Sequence, residues 1–253
     1  MKSVVLCEGP DDLWFIAYYL HKTAGWNICT PKKHWSNYEV VALTQKQKVV
    51  FMEKGDLCVA IWCVAGKDCF KPAISTIYEK FIYNFPFDPI SSIVIVEDRD
   101  DESTDAVLLR MQGWFPGTVG LENTQAAAWR DRIDGVDISL NIVPVIIPFS
   151  EEGAIETLLM NAISEKGCEE EIIVQAAKKY IADLIETEPV GTTYLSHRRL
   201  ILKAKYAAVI AAINPGHSTG LFKDMVLSSP WEESPSVKTH FDVIVQAISM
   251  PQA

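Results

Sequence analysis

Positive charge is scarce in this chain: Lys and Arg total 23 against 33 Asp and Glu, a formal net charge of −10. That balance excludes a protein held on nucleic acid by bulk electrostatics alone, because such binding draws on a surplus of clustered cations. It leaves room for a local site where carboxylates hold cations beside a phosphate. Zinc ligands are sparse too. The six cysteines (Cys7, Cys29, Cys58, Cys63, Cys69, Cys168) form no Cys-x-x-Cys pair and the five histidines are scattered. This excludes the usual structural zinc spacings and leaves reduced thiols as the expectation. There is no Gly-x-Gly-x-x-Gly, and Gly66-Lys67 runs into Asp68 where a phosphate-binding loop needs Ser or Thr, so nucleotide-cofactor fingerprints drop away. No apolar run approaches the roughly 18 residues of a membrane span. The first apolar run meets charge at Glu8, too early for a signal peptide. A cytoplasmic protein with no membrane partner is expected.

What is present is an ordinary globular composition, 49% apolar and 22% charged, in a chain of 253 residues that can bury a full core. Hydrophobic patterning divides it. Residues 1–150 alternate strand-like and helix-like segments and predict an α/β domain with a mainly parallel, Rossmann-like sheet flanked by helices. Residues 151–253 predict an almost wholly helical carboxyl-terminal extension packed on it.

Within the first part, Ser3 to Cys7 reads as a buried strand followed by Glu8-Gly9-Pro10 and a helix with Leu13, Ile16, Ala17 and Leu20 on one face. Tyr38 to Leu43 predicts a second strand followed by a Lys/Gln-rich connection. Cys58 to Ala65 predicts a third, ending at Gly66-Lys67-Asp68, and a helix from Lys71 to Tyr83 follows. Ile93 to Val96 predicts a fourth strand, stopping at Glu97, Asp98, Asp100 and Asp101. A helix from Thr104, a Gly/Pro break over 113–120 and a second helix holding Ala126 to Trp129 come next. Val136 to Pro148 is strand-like, and Pro144 and Pro148 suggest an edge position or a bulge. Later helices are predicted over 152–164, 169–186, 194–213, 218–228 and 237–248.

Three strand ends thus carry Glu8-Gly9, Gly66-Lys67 and Asp98-x-Asp100. In a parallel sheet these ends lie on one edge, where α/β folds bind ligands. Either acidic motif alone is equally well read as a helix cap or a polar loop.

Together, a strand-end Glu and a later strand-end Asp-x-Asp resemble the metal-binding pattern of Toprim domains. These occur in topoisomerases, bacterial primases, small RNA-processing nucleases and OLD-family nucleases. The resemblance covers about the first 150 residues, and Val4-Val-Leu-Cys-Glu-Gly-Pro-Asp-Asp12 is most similar to the opening of OLD-type members. Gly66-Lys67, Glu156 ahead of Leu158-Leu159, and the late-helix Lys203 and Lys205 fit that branch. The resemblance implies Mg²⁺ or Mn²⁺ on Asp98 and Asp100, oxygen donors suited to a hard cation beside a substrate phosphate. Glu8 would be a second-metal ligand or the base that activates water, and Asp12 and Glu156 further candidate ligands. Lys67 or Lys203 would neutralise charge on the scissile phosphate, and Arg199 shares a helical face with Lys203 at i, i+4.

Plain alternatives stand beside these roles. Asp11 or Asp12 can cap a helix, Glu156 can complement a helix dipole, and Lys203 and Lys205 can be exposed residues of an amphipathic helix. Trp26, Trp35, Trp114 and Trp129 are expected in the core rather than stacked on bases. Haloacid-dehalogenase enzymes require Thr where position 102 is Glu, and Gly9 after Glu8 breaks the acidic pair of response-regulator receivers. The expected activity is metal-dependent cleavage of nucleic acid, DNA or RNA. A second reading is a non-catalytic Toprim-like module working with a separate ATPase partner, and a third is a metal-dependent phosphatase of small substrates.

Overall fold

In the computed structural model, residues 1–30, 35, 45–84, 88, 90–216, 226, 227 and 229–250 are described. The predicted strand at Tyr38 to Leu43 and most of the predicted helix over 218–228 lie outside them. The described chain forms two compact units. The first comprises Met1–Ile146 with the stretch from His240 on, and the second is Ile147–Thr239.

The first unit has the expected α/β fold. Its strands are β1 (Lys2–Cys7), β2 (Asn27–Ile28), β3 (Lys48–Lys54), β4 (Leu57–Cys63), β5 (Ile90–Asp98), β6 (Ala127–Ile133) and β7 (Val136–Ile147), in the sheet order β2-β3-β4-β1-β5-β7-β6. β1 lies parallel between β4 and β5, with Cys7 opposite both Cys63 and Val96. These three central strands are buried on both faces, which is why they read as continuous apolar runs without alternation. The sheet is mixed, because β3 runs antiparallel to β4 and β2 antiparallel to β3.

Two segments depart from the sequence reading. Lys48–Lys54 is a strand where a connection is expected. Val49, Val50 and Phe51 favour the pleat, and the loop Gly55-Asp56 folds β3 back on β4, with Gly55 at φ 58°. Ala127–Ile133 is strand β6, not the predicted helix at Ala126 to Trp129. Its Trp129 and Ile133 alternate inward, and Asp134-Gly135, both at positive φ (49° and 81°), close a tight hairpin to β7. β7 is not an edge strand, since β5 and β6 flank it. Its Pro144 lies beyond the last β6 pair, Ala127 with Ile142, where the loop takes over. There the Pro144 carbonyl accepts the Thr124 N–H at 2.7 Å and Asn123 Oδ1 accepts the Ile146 N–H at 2.9 Å.

Helix α1 (Pro10–Ala24) follows β1, and α2 (Phe70–Ile77) follows β4 through a 3₁₀ turn at Lys67–Cys69 and continues as a π-helical turn to Tyr83. Helix α3 (Thr104–Gln112) follows β5 and is capped by Ser103, whose Oγ accepts the Ala106 N–H. Val4 and Leu6 of β1 share a core cluster with Phe70, Ile74, Trp35 and Met111. Trp26, Trp35 and Trp129 are buried, as expected of core aromatics. The carboxyl-terminal residues belong to this unit. Phe241 packs on Phe15 and Tyr19 with ring centroids 4.9 and 5.4 Å apart, and Tyr19 donates its hydroxyl to Asp242 at 2.7 Å.

The second unit is helical: α4 (Ile155–Ser164), α5 (Cys168–Ile185), α6 (Val190–Tyr194) and α7 (Arg198–Ile213). Gly191 is buried in α6, and a Cβ there would lie 2.1 Å from the Ile185 carbonyl oxygen. Because that neighbour is backbone, Gly191→Ala should force a shift of the chain and cost about 3 kcal/mol. Urea denaturation should read this as a lower midpoint at unchanged slope.

Candidate functional site at the carboxyl edge of the sheet

Parallel register is what builds the site. With Cys7 opposite Cys63 and Val96, the residue just after β1, Glu8, is carried to the edge where β4 and β5 also end. The Glu8 carbonyl accepts the N–H groups of Ala65 and Gly66 at 3.0 and 3.1 Å. Those bonds hold the turn after β4 against β1. Ala65 and Gly66 sit at φ 69° and 123°, the second a conformation that suits glycine, and the chain is thereby turned to place Lys67 beside β5.

Lys67 is the centre of the arrangement. Its Nζ lies 2.7 Å from Asp100, 3.4 Å from Glu102 and 3.9 Å from Glu97. Arg110, from α3, contacts the same Glu97 and Glu102 from the other side. Two cations thus serve three carboxylates. Asp100 reaches Lys67 from a left-handed backbone, φ 53°, which Asp tolerates better than most residues.

Burial sets the electrostatics. The Glu97 side chain is completely inaccessible to solvent. Desolvation pushes its carboxyl up to about 7, and the nearby Glu8 charge adds to the rise, while Arg110 and then Lys67 oppose it. At Lys67 the balance tips the other way. Burial lowers its affinity for a proton, but Asp100, Glu97 and Glu8 together raise it, so the ammonium is retained. Arg110 behaves like Lys67, with Glu102 and Glu97 outweighing its desolvation. The difference is one of depth: Glu97 has lost all its water, whereas the two cations remain partly hydrated. One carboxylate oxygen of Glu97, Oε2, and the Arg110 Nε are buried without a hydrogen-bond partner among the described residues.

Glu8 and Asp12 are buried and Asp98 is half-buried. Their shared neighbour is Cys7, whose thiol is held well above its ordinary range by burial, then by the charges of Asp12, Cys63, Asp98 and Glu8. Asp12 Oδ2 accepts the Gly9 N–H at 2.7 Å, so this candidate ligand caps the start of α1. Glu156 and Lys203 belong to the second unit and are paired there at 2.8 Å, Glu156 in the first turn of α4 and Lys203 on α7. Lys203 thus has a structural partner, and the expected Arg199/Lys203 face carries one charge already answered.

The first unit therefore brings Glu8, Asp98, Asp100 and Lys67 to one edge and adds two residues that the sequence reading left out, Glu97 and Arg110. A signal for both exists. Glu97 continues a strand buried on both faces, where a carboxylate needs a cation. Arg110 lies three residues after Val107 and directly before Met111, beside the buried stripe of its helix.

The donor chemistry of this edge, carboxylates and backbone carbonyls, is that of a hard-cation site. Among the described residues, however, no three His, Cys, Asp or Glu side chains converge at a spacing that would hold a metal ion. The local demand for positive charge is met by Lys67 and Arg110. The edge is thus oxygen-rich and carries its own counter-cations.

The fold and edge define an α/β protein with an acidic, lysine-bearing carboxyl edge. No protein-family description matches the chain, and no curated protein does. Among solved structures it is similar to a hypothetical protein from Pyrococcus horikoshii OT3, at 15% identity and a TM-score of 0.47, over 96% of this chain and 99% of that one. Among the described residues no helix is long and apolar enough to cross a membrane.

Proposed function

We propose that this chain is a Toprim-like, Mg²⁺- or Mn²⁺-dependent nuclease whose reacting edge is built by Glu8, Asp98, Asp100 and Lys67. The observation that supports this most is the meeting of a buried strand-end Glu, a strand-end Asp-x-Asp and a lysine on one edge of a parallel sheet centre. A divalent ion held by Asp98 and Asp100 would supply Lewis-acid stabilisation of a phosphoryl oxygen and would acidify a water. The residues themselves do the rest. Glu8, just after β1 on the same edge, would be the base that accepts a proton from an attacking water. Lys67, kept protonated by Asp100, presents positive charge at the edge for a developing phosphoryl oxyanion. Glu97 and Arg110 position Lys67 and Glu102 from behind, and the net acidity of the chain leaves the substrate contacts to this local set.

One observation favours a second reading: Asp100 is already neutralised by Lys67. In that reading the edge is a self-compensated remnant, and the chain is a non-catalytic nucleic-acid or protein-binding module acting with an ATPase partner.

Purified chain should be assayed on single- and double-stranded DNA and RNA oligonucleotides and on a phosphomonoester, with Mg²⁺, with Mn²⁺ and with EDTA. Metal-dependent oligonucleotide cleavage, lost in EDTA, is the expected result. Hydrolysis confined to the phosphomonoester would replace the nuclease reading by a phosphatase. Absence of hydrolysis, with no Mn²⁺ binding by calorimetry, would sink both and leave the binding module.

A further inference from the structure

The second unit holds a cavity of about 420 Å³ among residues of α4, α5 and α7 and of the segment before α4. That volume falls within the range of roughly 300–1,000 Å³ typical of small-molecule sites. Met160, Ile201 and Leu202 give it an apolar lining, and Lys178, Arg198 and Lys205 bring three cations to it. Two carboxylates, Glu151 and Glu152, also line it, and both have partners. Arg198 is paired with Glu152 at 3.0 Å, and Glu151 accepts a hydrogen bond from the Asn161 amide.

Lys178 and Lys205 are different. Both are half-buried, and neither has an ion pair or hydrogen bond among the described residues. They come from separate helices, α5 and α7, and line the same cavity. Neither of the lining carboxylates, Glu151 and Glu152, is ion-paired with Lys178 or Lys205, so a bound anion would give these two ammonium groups a charge partner. Thr157 also lines the cavity; its Oγ1 accepts the Ala154 N–H at 3.4 Å, which leaves the hydroxyl hydrogen to donate.

We propose that this cavity binds a phosphate monoester carried on a flat ring, a ligand of mononucleotide size. The phosphate is held by Lys178 and Lys205, and the ring lies on Met160, Ile201 and Leu202. Three apolar side chains cover a ring but are too few for a long acyl chain. The site stands independently of the carboxyl edge of the sheet, so either can fail without the other.

The test is isothermal titration calorimetry of the full chain in EDTA, with AMP, inorganic phosphate and octanoate as separate probes. AMP is expected to bind, inorganic phosphate to bind more weakly, and octanoate not to bind. Lys178→Met with Lys205→Met should weaken AMP by roughly tenfold or more, since two charge-assisted contacts are lost. Each single variant, should the double one not fold by circular dichroism, is expected to weaken it by roughly fivefold. Glu8→Gln should leave AMP affinity unchanged. No heat with AMP at millimolar concentration, wild-type affinity in the lysine variants, or octanoate binding more tightly than AMP would each overturn the proposal.

Discussion

Glu8→Gln and Asp100→Asn should each reduce metal-dependent phosphodiester cleavage by roughly 10²–10⁴-fold while the chain stays folded. The size of the effect follows from the proposed division of labour, in which Glu8 accepts the proton of the attacking water and Asp100 supplies a charged oxygen and keeps Lys67 protonated. Both substitutions preserve shape and remove charge. Glu8 holds the turn after β4 through its backbone carbonyl, which the substitution leaves in place, so Ala65 and Gly66 keep their partners. At position 100 the backbone is left-handed, φ 53°, and Asn adopts that conformation as readily as any residue but Gly. Losing the Asp100 charge should also weaken metal binding in its own right, which Mn²⁺ calorimetry reads without any turnover. Full cleavage activity in both variants would overturn the assignment of this edge as the reacting site.

The second large effect is on stability and depends on pH. Arg110→Ala should destabilise the metal-free chain by about 2 kcal/mol at pH 8, because it strips a counter-charge from a carboxylate with no access to water. Glu97 is pushed up to about 7 in the folded chain, above its ordinary value near 4.5. The folded state therefore holds a proton that the unfolded state has released between those two values, and Glu97's contribution to stability falls as pH rises through that window. At pH 5 Glu97 is mostly protonated, so the loss of Arg110 costs mainly its contact with the part-exposed Glu102, about 1 kcal/mol or less. Urea denaturation of both proteins at pH 5, 6.5 and 8 in EDTA should show the gap widening with pH. A gap that stays constant or narrows would mean that Glu97 is not the group that Arg110 serves. Glu97→Gln should remove the pH dependence of the gap, separating titration of this carboxyl from that of its neighbours.

Much of the first unit's centre is legible in the sequence. β1, β4 and β5 are unbroken apolar runs, and each stops where charge begins, at Glu8, Gly66-Lys67 and Glu97-Asp98. The two hairpins are less legible for different reasons. In β3 the apolar residues number only four and sit between lysines, and the pairing partner β4 is what holds them extended. In β6 the segment Ala127-Ala-Trp-Arg has helical propensity, and the Asp134-Gly135 turn together with pairing to β7 overrides it.

Local pattern alone determined which residues could meet at the edge, since strand ends carry their side chains to wherever the sheet ends. It also supplied the candidate acids Glu8, Asp98 and Asp100 and the lysine at position 67. Only the tertiary structure decided how these charges are shared. Register brings the turn after β4 against Glu8 and sets Lys67 on Asp100; Glu97 is buried near the end of β5, and α3 supplies Arg110 to it. The physical reason is that charge pairing depends on distance and on loss of water, and both are properties of residues far apart in the chain. Glu97 and Asp98 are neighbours in sequence, yet one is fully desolvated and holds a proton near neutral pH, while the other stays at the solvent edge.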